Sequence, residues 1–141
     1  MTVGSFELTI AVEPADIDRL GHVNNVVYLR WVQDAAVAHW VAAATPEQQA
    51  ALVWVVVRHE IDYRQAAQLG DTVIARTWVG PTEGRSFSRH TEILRASDRR
   101  LLARARTLWF PLDAQTGRPA RVGADVRERF SVPAEGGTPA R

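Results

Sequence analysis

Between Val26 and Ala43 the chain reads VVYLRWVQDAAVAHWVAA, eighteen residues with neither glycine nor proline. A run of that length is too long for an ordinary strand and carries no turn residue, so it is expected to be a helix. Arg30, Gln33 and Asp34 share one narrow stripe at helical spacing, while Val27, Leu29, Trp31, Val32, Ala35, Val37, Trp40 and Val41 leave the remainder apolar. A helix with so little polar surface has to be buried on most sides, and the rest of the chain must supply the cover.

The flanking segments have the periodicity of strands. Phe6, Leu8 and Ile10 alternate with Glu7 and Thr9 up to Val12, before Pro14 interrupts the pattern. Thr45-Pro46-Glu47 opens a short connection or helical turn, and Leu52 to Tyr63 then reads as a long valine-rich strand. Further strands are expected over Thr72–Val79, Ser86–Arg95 and Leu101–Pro111, separated by a turn at Leu69-Gly70-Asp71, a Gly/Pro loop over Gly80–Arg85 and a turn at Ser97–Arg100. After a turn at Asp113–Gly117, Gly123–Phe130 suits a short helix. This order implies an α+β fold, one long central helix wrapped by a curved antiparallel sheet of about five strands. Residues 1–132 form a single domain on this reading, and 133–141, rich in proline and glycine, a disordered tail.

Composition narrows the chemistry. The chain has 141 residues and no cysteine, which removes thiolate nucleophiles, disulfides and cysteine metal sites. Seventeen basic residues, all arginine, stand against sixteen acidic ones and are scattered, so no nucleic-acid footprint is formed. No run is long and apolar enough to span a membrane, and MTVGSFELTI lacks the pattern of a signal peptide, so a cytoplasmic location without membrane contact is expected. His22, His39, His59 and His90 lack metal-ligand spacing, and neither a metal nor a resident cofactor is expected.

The segment richest in chemistry is Asp16-Ile17-Asp18-Arg19-Leu20-Gly21-His22-Val23-Asn24-Asn25, a loop that delivers the chain to the helix. A helix start presents unpaired N–H groups and a positive dipole end, which suit a carbonyl that becomes an oxyanion. Asn24 or Asn25 is a natural N-cap. Gly21 allows close backbone approach, and Asp18 is placed to act as general base or nucleophile. On spacing alone, turn capping by Asp18 and a local hydrogen bond from His22 explain the same residues.

DIDRLGHVNNVVYLRW resembles the signature of the hotdog thioesterases related to 4-hydroxybenzoyl-CoA thioesterase and to bacterial acyl-CoA thioesterases. IDYRQAAQLGD, residues 61–71, and GRSFSRHTEIL, residues 84–94, resemble that family's strand tyrosine with its Gly-Asp turn and its Arg-Ser-Phe strand, so the likeness runs from residue 6 to about 130. The resemblance implies hydrolysis of an acyl-CoA or related thioester, CoA being part of the substrate. It puts the catalytic carboxylate at Asp18 and the carbonyl-polarising amide at Asn25, and His22 matches a site histidine of the plant acyl-carrier-protein thioesterases. Those relatives carry a catalytic Asn where Leu20 stands, other bacterial members a His where Asn25 stands, and the usual proline after the strand tyrosine is missing from Tyr63-Arg64-Gln65-Ala66. The resemblance also implies a homodimer, or a homotetramer, with sites at the interface.

Around that centre, Asn24, Tyr28, Arg85 and Ser86 are candidate substrate contacts. Tyr28 falls in the first helical turn, where core packing competes with pocket lining. Arg85, ahead of Arg58 and Arg64, is suited to CoA phosphates. Asp34 is expected to pair with Arg30 one turn earlier. Two other functions share the fold: an enoyl thioester hydratase or dehydratase, and a non-catalytic protein that binds an acyl ligand.

Overall fold

A computed structural model of the chain describes residues 4–133. The elements, in chain order, are β1 (Phe6–Ala11), a 3-10 turn (Pro14–Asp16), α1 (Asn25–Ala43), α2 (Pro46–Ala51), β2 (Leu52–Tyr63), β3 (Thr72–Glu83), β4 (Ser86–Arg95), β5 (Leu101–Asp113) and α3 (Ala124–Arg129). The five strands form one antiparallel sheet in the order β1-β3-β4-β5-β2, wrapped around α1. This is the helix-in-sheet arrangement expected from the apolar run and its alternating neighbours. The tail assigned to 133–141 lies, from residue 134 on, outside the described residues.

The inner face is built by strict alternation. Leu8 and Ile10 of β1, Val73 and Ala75 of β3, Ile93 of β4, and Ala103 and Ala105 of β5 meet Val27, Tyr28, Trp31, Val32 and Ala35 of α1 in one core. A second cluster under the far end of α1 joins Ala44, Phe87, Val122, Val126 and Phe130, with Trp40 and Trp54 packed against it. Alternation would fail along β2 without a correction, because Trp54 packs inward at one end and Ile61 at the other. The register shift between Val56 and Arg58 inserts one residue and restores the parity.

Two expectations need revision. The Gly80–Arg85 loop is in fact mostly strand, since β3 runs to Glu83 and only Gly84 and Arg85 make the turn. A register shift between Val79 and Thr82 accommodates Pro81, which has no N–H to give the ladder. A Cβ on Gly80 would lie 2.8 Å from the Ser88 hydroxyl oxygen and 2.9 Å from His90 Nε2, so this glycine serves close packing between strands. The expected Arg30–Asp34 pair is also replaced: Arg30 Nη2 lies 2.8 Å from Oδ1 of Asp16, a partner fourteen residues away that spacing along the helix could not reveal.

The helix is less enclosed than its sequence demands. Tyr28, Trp31, Val32 and Ala35 are buried, but Val26, Val37 and Val41 remain exposed, as do Val53, Val55 and Val57 on the edge strand β2. Part of α1 and of the edge strand β2 is thus apolar surface that the protomer leaves uncovered. The outer face of the sheet also carries ion pairs, with Arg76 and Arg104 reaching Glu92 and Arg58 and Arg106 reaching Glu60.

Candidate active site

The loop before α1 is a closed hairpin. Ile17 and Val23 form an antiparallel bridge, the Asp18 N–H donates to the His22 carbonyl at 2.7 Å, and the Asn24 N–H donates to the Asp16 carbonyl at 2.8 Å. These rungs hold the two arms about 5 Å apart, the spacing of neighbouring strands. In this register Asp18 lies opposite His22, and Asp16 lies opposite Asn24, the residue that precedes α1. Gly21, with φ +82°, makes the tip turn that a side chain would strain.

Several contacts hold this hairpin on the core. The Val23 N–H donates to the Ala67 carbonyl at 3.0 Å, and the Ala67 N–H donates to the Tyr28 hydroxyl at 2.8 Å. Asp16, buried to 3% exposure, accepts from the Glu13 amide and from Arg30. Burial pushes its carboxyl up, but the Arg30 and Glu13 hydrogen bonds more than offset this and leave it below the ordinary carboxylate range. It is an anchor, fully committed to holding the loop.

Asp18 differs from Asp16 in what it leaves available. Its Oδ1 accepts from the Leu20 and His22 amides at 2.9 and 3.2 Å, while Oδ2 has no hydrogen-bond donor among the described residues. One oxygen fixes the side chain and the other is open to a proton or an electrophile, in a partly exposed position. Asn24 is the N-cap, with its side-chain oxygen accepting from the Val26 amide at 3.2 Å. Asn25 occupies the first helical position, and its N–H has no acceptor among the described residues. The segment thus carries a carboxylate oxygen without a donor and, further along, a free amide at the positive end of a helix.

The other candidates fall in different places. The exposed His22 belongs to the same hairpin, joined to Asp18 through backbone atoms, and its imidazole has no partner among the described residues. Tyr28 is 1% exposed, packed edge-on against Trp31 and Tyr63, with its hydroxyl occupied by Ala67. It supports the loop from the core and presents no face to a ligand. Tyr63 enters the sequence reading only as a strand landmark, yet its hydroxyl donates to the Asn25 carbonyl at 3.0 Å and clamps the first turn of α1. An aromatic side chain at the end of an edge strand is the one signal of this that the sequence offers.

Arg85 and Ser86 are not brought to Asp18 within one chain. They sit at the β3–β4 turn, level with the Phe87–Trp109 pair, whereas the Asp18 end lies level with Leu102, whose carbonyl accepts from Arg64 and Gln65. Seven residues of β5 separate those levels, roughly 24 Å at about 3.4 Å per residue. Arg85 lines a cavity of 430 Å³ with Arg121 and Arg127, a cationic setting suited to phosphate. Of the secondary candidates, Arg58 lies 3.5 Å from Glu60. Among the described residues there is no cluster of three or more His, Cys, Asp or Glu able to hold a metal, and no helix long and apolar enough to cross a membrane.

Residues 12–130 match the family model described as the thioesterase-like superfamily. A 1,4-dihydroxy-2-naphthoyl-CoA thioesterase from Synechocystis superposes with a TM-score of 0.77 at 21% identity, over 90% of this chain and 96% of that one. A thioesterase from Thermus thermophilus, crystallised with coenzyme A and zinc, superposes at 0.75 with 27% identity, over 88% and 90%. A chloroplastic acyl-[acyl-carrier-protein] hydrolase from Cuphea viscosissima is 29% identical over 87 residues; the match takes in 61% of this chain and only 21% of that protein. The shared architecture is the hotdog fold.

Proposed function

Because the chain belongs to the thioesterase-like superfamily, we propose that it hydrolyses an acyl thioester, and that Asp18 and the Asn25 amide carry the reaction. The carbonyl oxygen lies on the Asn25 N–H, where the helix end stabilises negative charge as it develops. Asp18 Oδ2 either takes a proton from water attacking the carbonyl or attacks that carbon itself, giving an acyl–carboxyl anhydride that water then opens. The thiol leaves with a proton and the acid is released. His22 is within the same hairpin and serves the thiol or the water. The observation that supports this reading is the division of labour within Asp18, one oxygen fixed by two amides and one left free, in the hairpin that leads to an unpartnered helix N–H.

The uncovered surface supports the second part of the reading, that two copies join through β2. An edge strand with Val53, Val55 and Val57 exposed is a template for pairing, and α1 adds Val37 and Val41. A twofold axis makes such pairing antiparallel. The Val53 end of one β2 then lies across from the partner's Tyr63, and Tyr63 is bonded to the first turn of α1. Each Asp18 loop consequently faces the opposite end of the partner's sheet, where Arg85 and Ser86 stand, and CoA phosphates have an arginine-lined cavity at that end.

The test is thiol release from acyl-CoAs and acyl-carrier-protein thioesters by the wild type and by Asp18→Asn. The amide keeps an Oδ1 acceptor for Leu20 and His22, so the loop is retained while the base or nucleophile is lost. A fall of about 10²-fold or more is expected. Full activity in a folded Asp18→Asn protein would remove Asp18 from the mechanism, and hydration of an enoyl thioester without thiol release would reassign the reaction.

A further inference from the structure

Under the C-terminal half of α1 lies a cavity of about 290 Å³, far from the protomer's own Asp18 loop. Its walls are apolar: Ala36, Val37 and Trp40 from the helix, Val53 and Trp54 from β2, and Trp109 from β5. Val37 and Val53 are 56% and 47% exposed, so the mouth opens at the free β2 edge. Arg89, on the inner face of β4 and 7% exposed, forms part of the same wall at depth. From β2 across β5 to β4 is two strand spacings, about 10 Å.

Arg89 is an unusual residue for such a wall. Its Nη1 donates to His39 Nδ1 at 2.9 Å and to the Thr77 hydroxyl at 3.1 Å. Burial, and then the neighbouring Arg89 charge, hold His39 down to about 4, so the imidazole is neutral and able to accept. Burial also lowers Arg89 itself, to about 10, which leaves it charged at neutral pH. Among the described residues no carboxylate pairs with it, and its Nε and Nη2 have no acceptor. The indole N–H groups of Trp54 and Trp109, in the same walls, are likewise buried without an acceptor. The other arginines that find carboxylates do so on the outer sheet face, in loops or on the exposed helix stripe. A guanidinium withdrawn from water without an anion is costly, and a ligand that brings the anion recovers that cost when it binds.

We propose that this cavity receives the acyl chain of the thioester and that Arg89 binds a carboxylate at the chain's far end, so that the preferred substrates are half-thioesters of dicarboxylic acids. The apolar walls take the methylene shaft, and the two free guanidinium nitrogens take the terminal oxygens. Delivery of the thioester end to the partner's Asp18 loop rests on the reading given under the proposed function; recognition of the carboxylate does not.

The two can be separated by measuring binding and turnover independently. Octanedioate and the uncharged octane-1,8-diol are titrated into the wild type, followed by calorimetry and by the fluorescence of the cavity tryptophans. Octanedioyl-CoA and octanoyl-CoA are then compared for thiol release. A charge-assisted contact to a desolvated arginine predicts at least roughly tenfold tighter binding of octanedioate, and a similar preference in kcat/KM for its thioester. Arg89→Met should abolish both preferences, and Arg89→Lys should retain part of them. Tight octanedioate binding without hydrolysis of either thioester would sustain the cavity assignment and overturn the catalytic one. Equal binding of the diacid and the diol by the wild type would overturn the cavity assignment, whatever the folding of the variants.

Discussion

Tyr28→Phe is the substitution that isolates how the Asp18 hairpin is held. It removes one oxygen and leaves the ring to pack against Trp31 and Tyr63, so no cavity of consequence opens. What is lost is the acceptor for the Ala67 N–H, in a residue with 0% exposure and no route to bulk water. A buried donor stranded in this way costs about 1–3 kcal/mol. For a domain of this size that is a fall in Tm of about 3–10 °C, with the urea m-value unchanged because no additional surface is exposed on unfolding. The Tyr63→Phe control also removes one hydroxyl hydrogen bond, to Asn25, but at an exposed position where water can replace it, and it should cost less than about 0.5 kcal/mol. Urea and thermal melts of the three proteins measure the contrast. If Tyr28→Phe falls within about 0.5 kcal/mol of the wild type, the Ala67 amide has another acceptor and the anchoring argument fails.

Two further outcomes follow from burial and from the exposed edge. His39 has its pKa held down to about 4, against an ordinary value near 6.5, by burial first and then by Arg89, with Phe6 and Phe130 closing the remaining sides. The unfolded chain therefore takes up a proton that the fold refuses, and stability should fall as pH drops from about 6.5 to about 4, by roughly 2–3 kcal/mol in total. His59 and His90, also lowered by burial, act in the same direction. Denaturant melts across that window should show a shallower decline for His39→Gln, and an unchanged slope would discount His39. Val55→Asp places a charge at the centre of the β2 edge; it should convert a dimer to a monomer in sedimentation and abolish thiol release with each protomer still folded. A wild type that sediments as a monomer would remove the partner from the site.

Much of the architecture is legible in the sequence because the deciding signals are local. The Val26–Ala43 run admits no turn, and alternation at Phe6–Ile10 and Ser86–Arg95 assigns an inward face residue by residue. The failures occur where one residue serves a distant neighbour. Gly80-Pro81 has the local chemistry of a turn, but the glycine makes room for Ser88 and His90 on the next strand. Arg30 has an acidic residue one turn away on its own helix and pairs instead with buried Asp16, which spacing cannot show. The hairpin carrying Asp18 is readable in its residue types, whereas the free oxygen of Asp18 and the open Asn25 amide are properties of geometry alone.

Arg89 shows where the two kinds of information meet. In Ser86–Arg95 it shares parity with Phe87 and Ile93, so alternation alone turns a cation toward the helix. A chain selected only for stability would gain from an apolar residue there, because buried ionic groups are often no more stabilising than well-packed hydrophobic ones. The surplus of apolar surface on α1 and β2 has the same character: the single chain cannot bury Val37, Val41, Val53 and Val55, and of these Val37 and Val53 line one of its own cavities. Both departures from a self-sufficient fold occur at the same place. The mouth of the cavity, the free strand edge and the guanidinium without a carboxylate are each incomplete in an isolated protomer, and in the proposed reading a second copy that delivers a thioester with a charged acyl end completes all three.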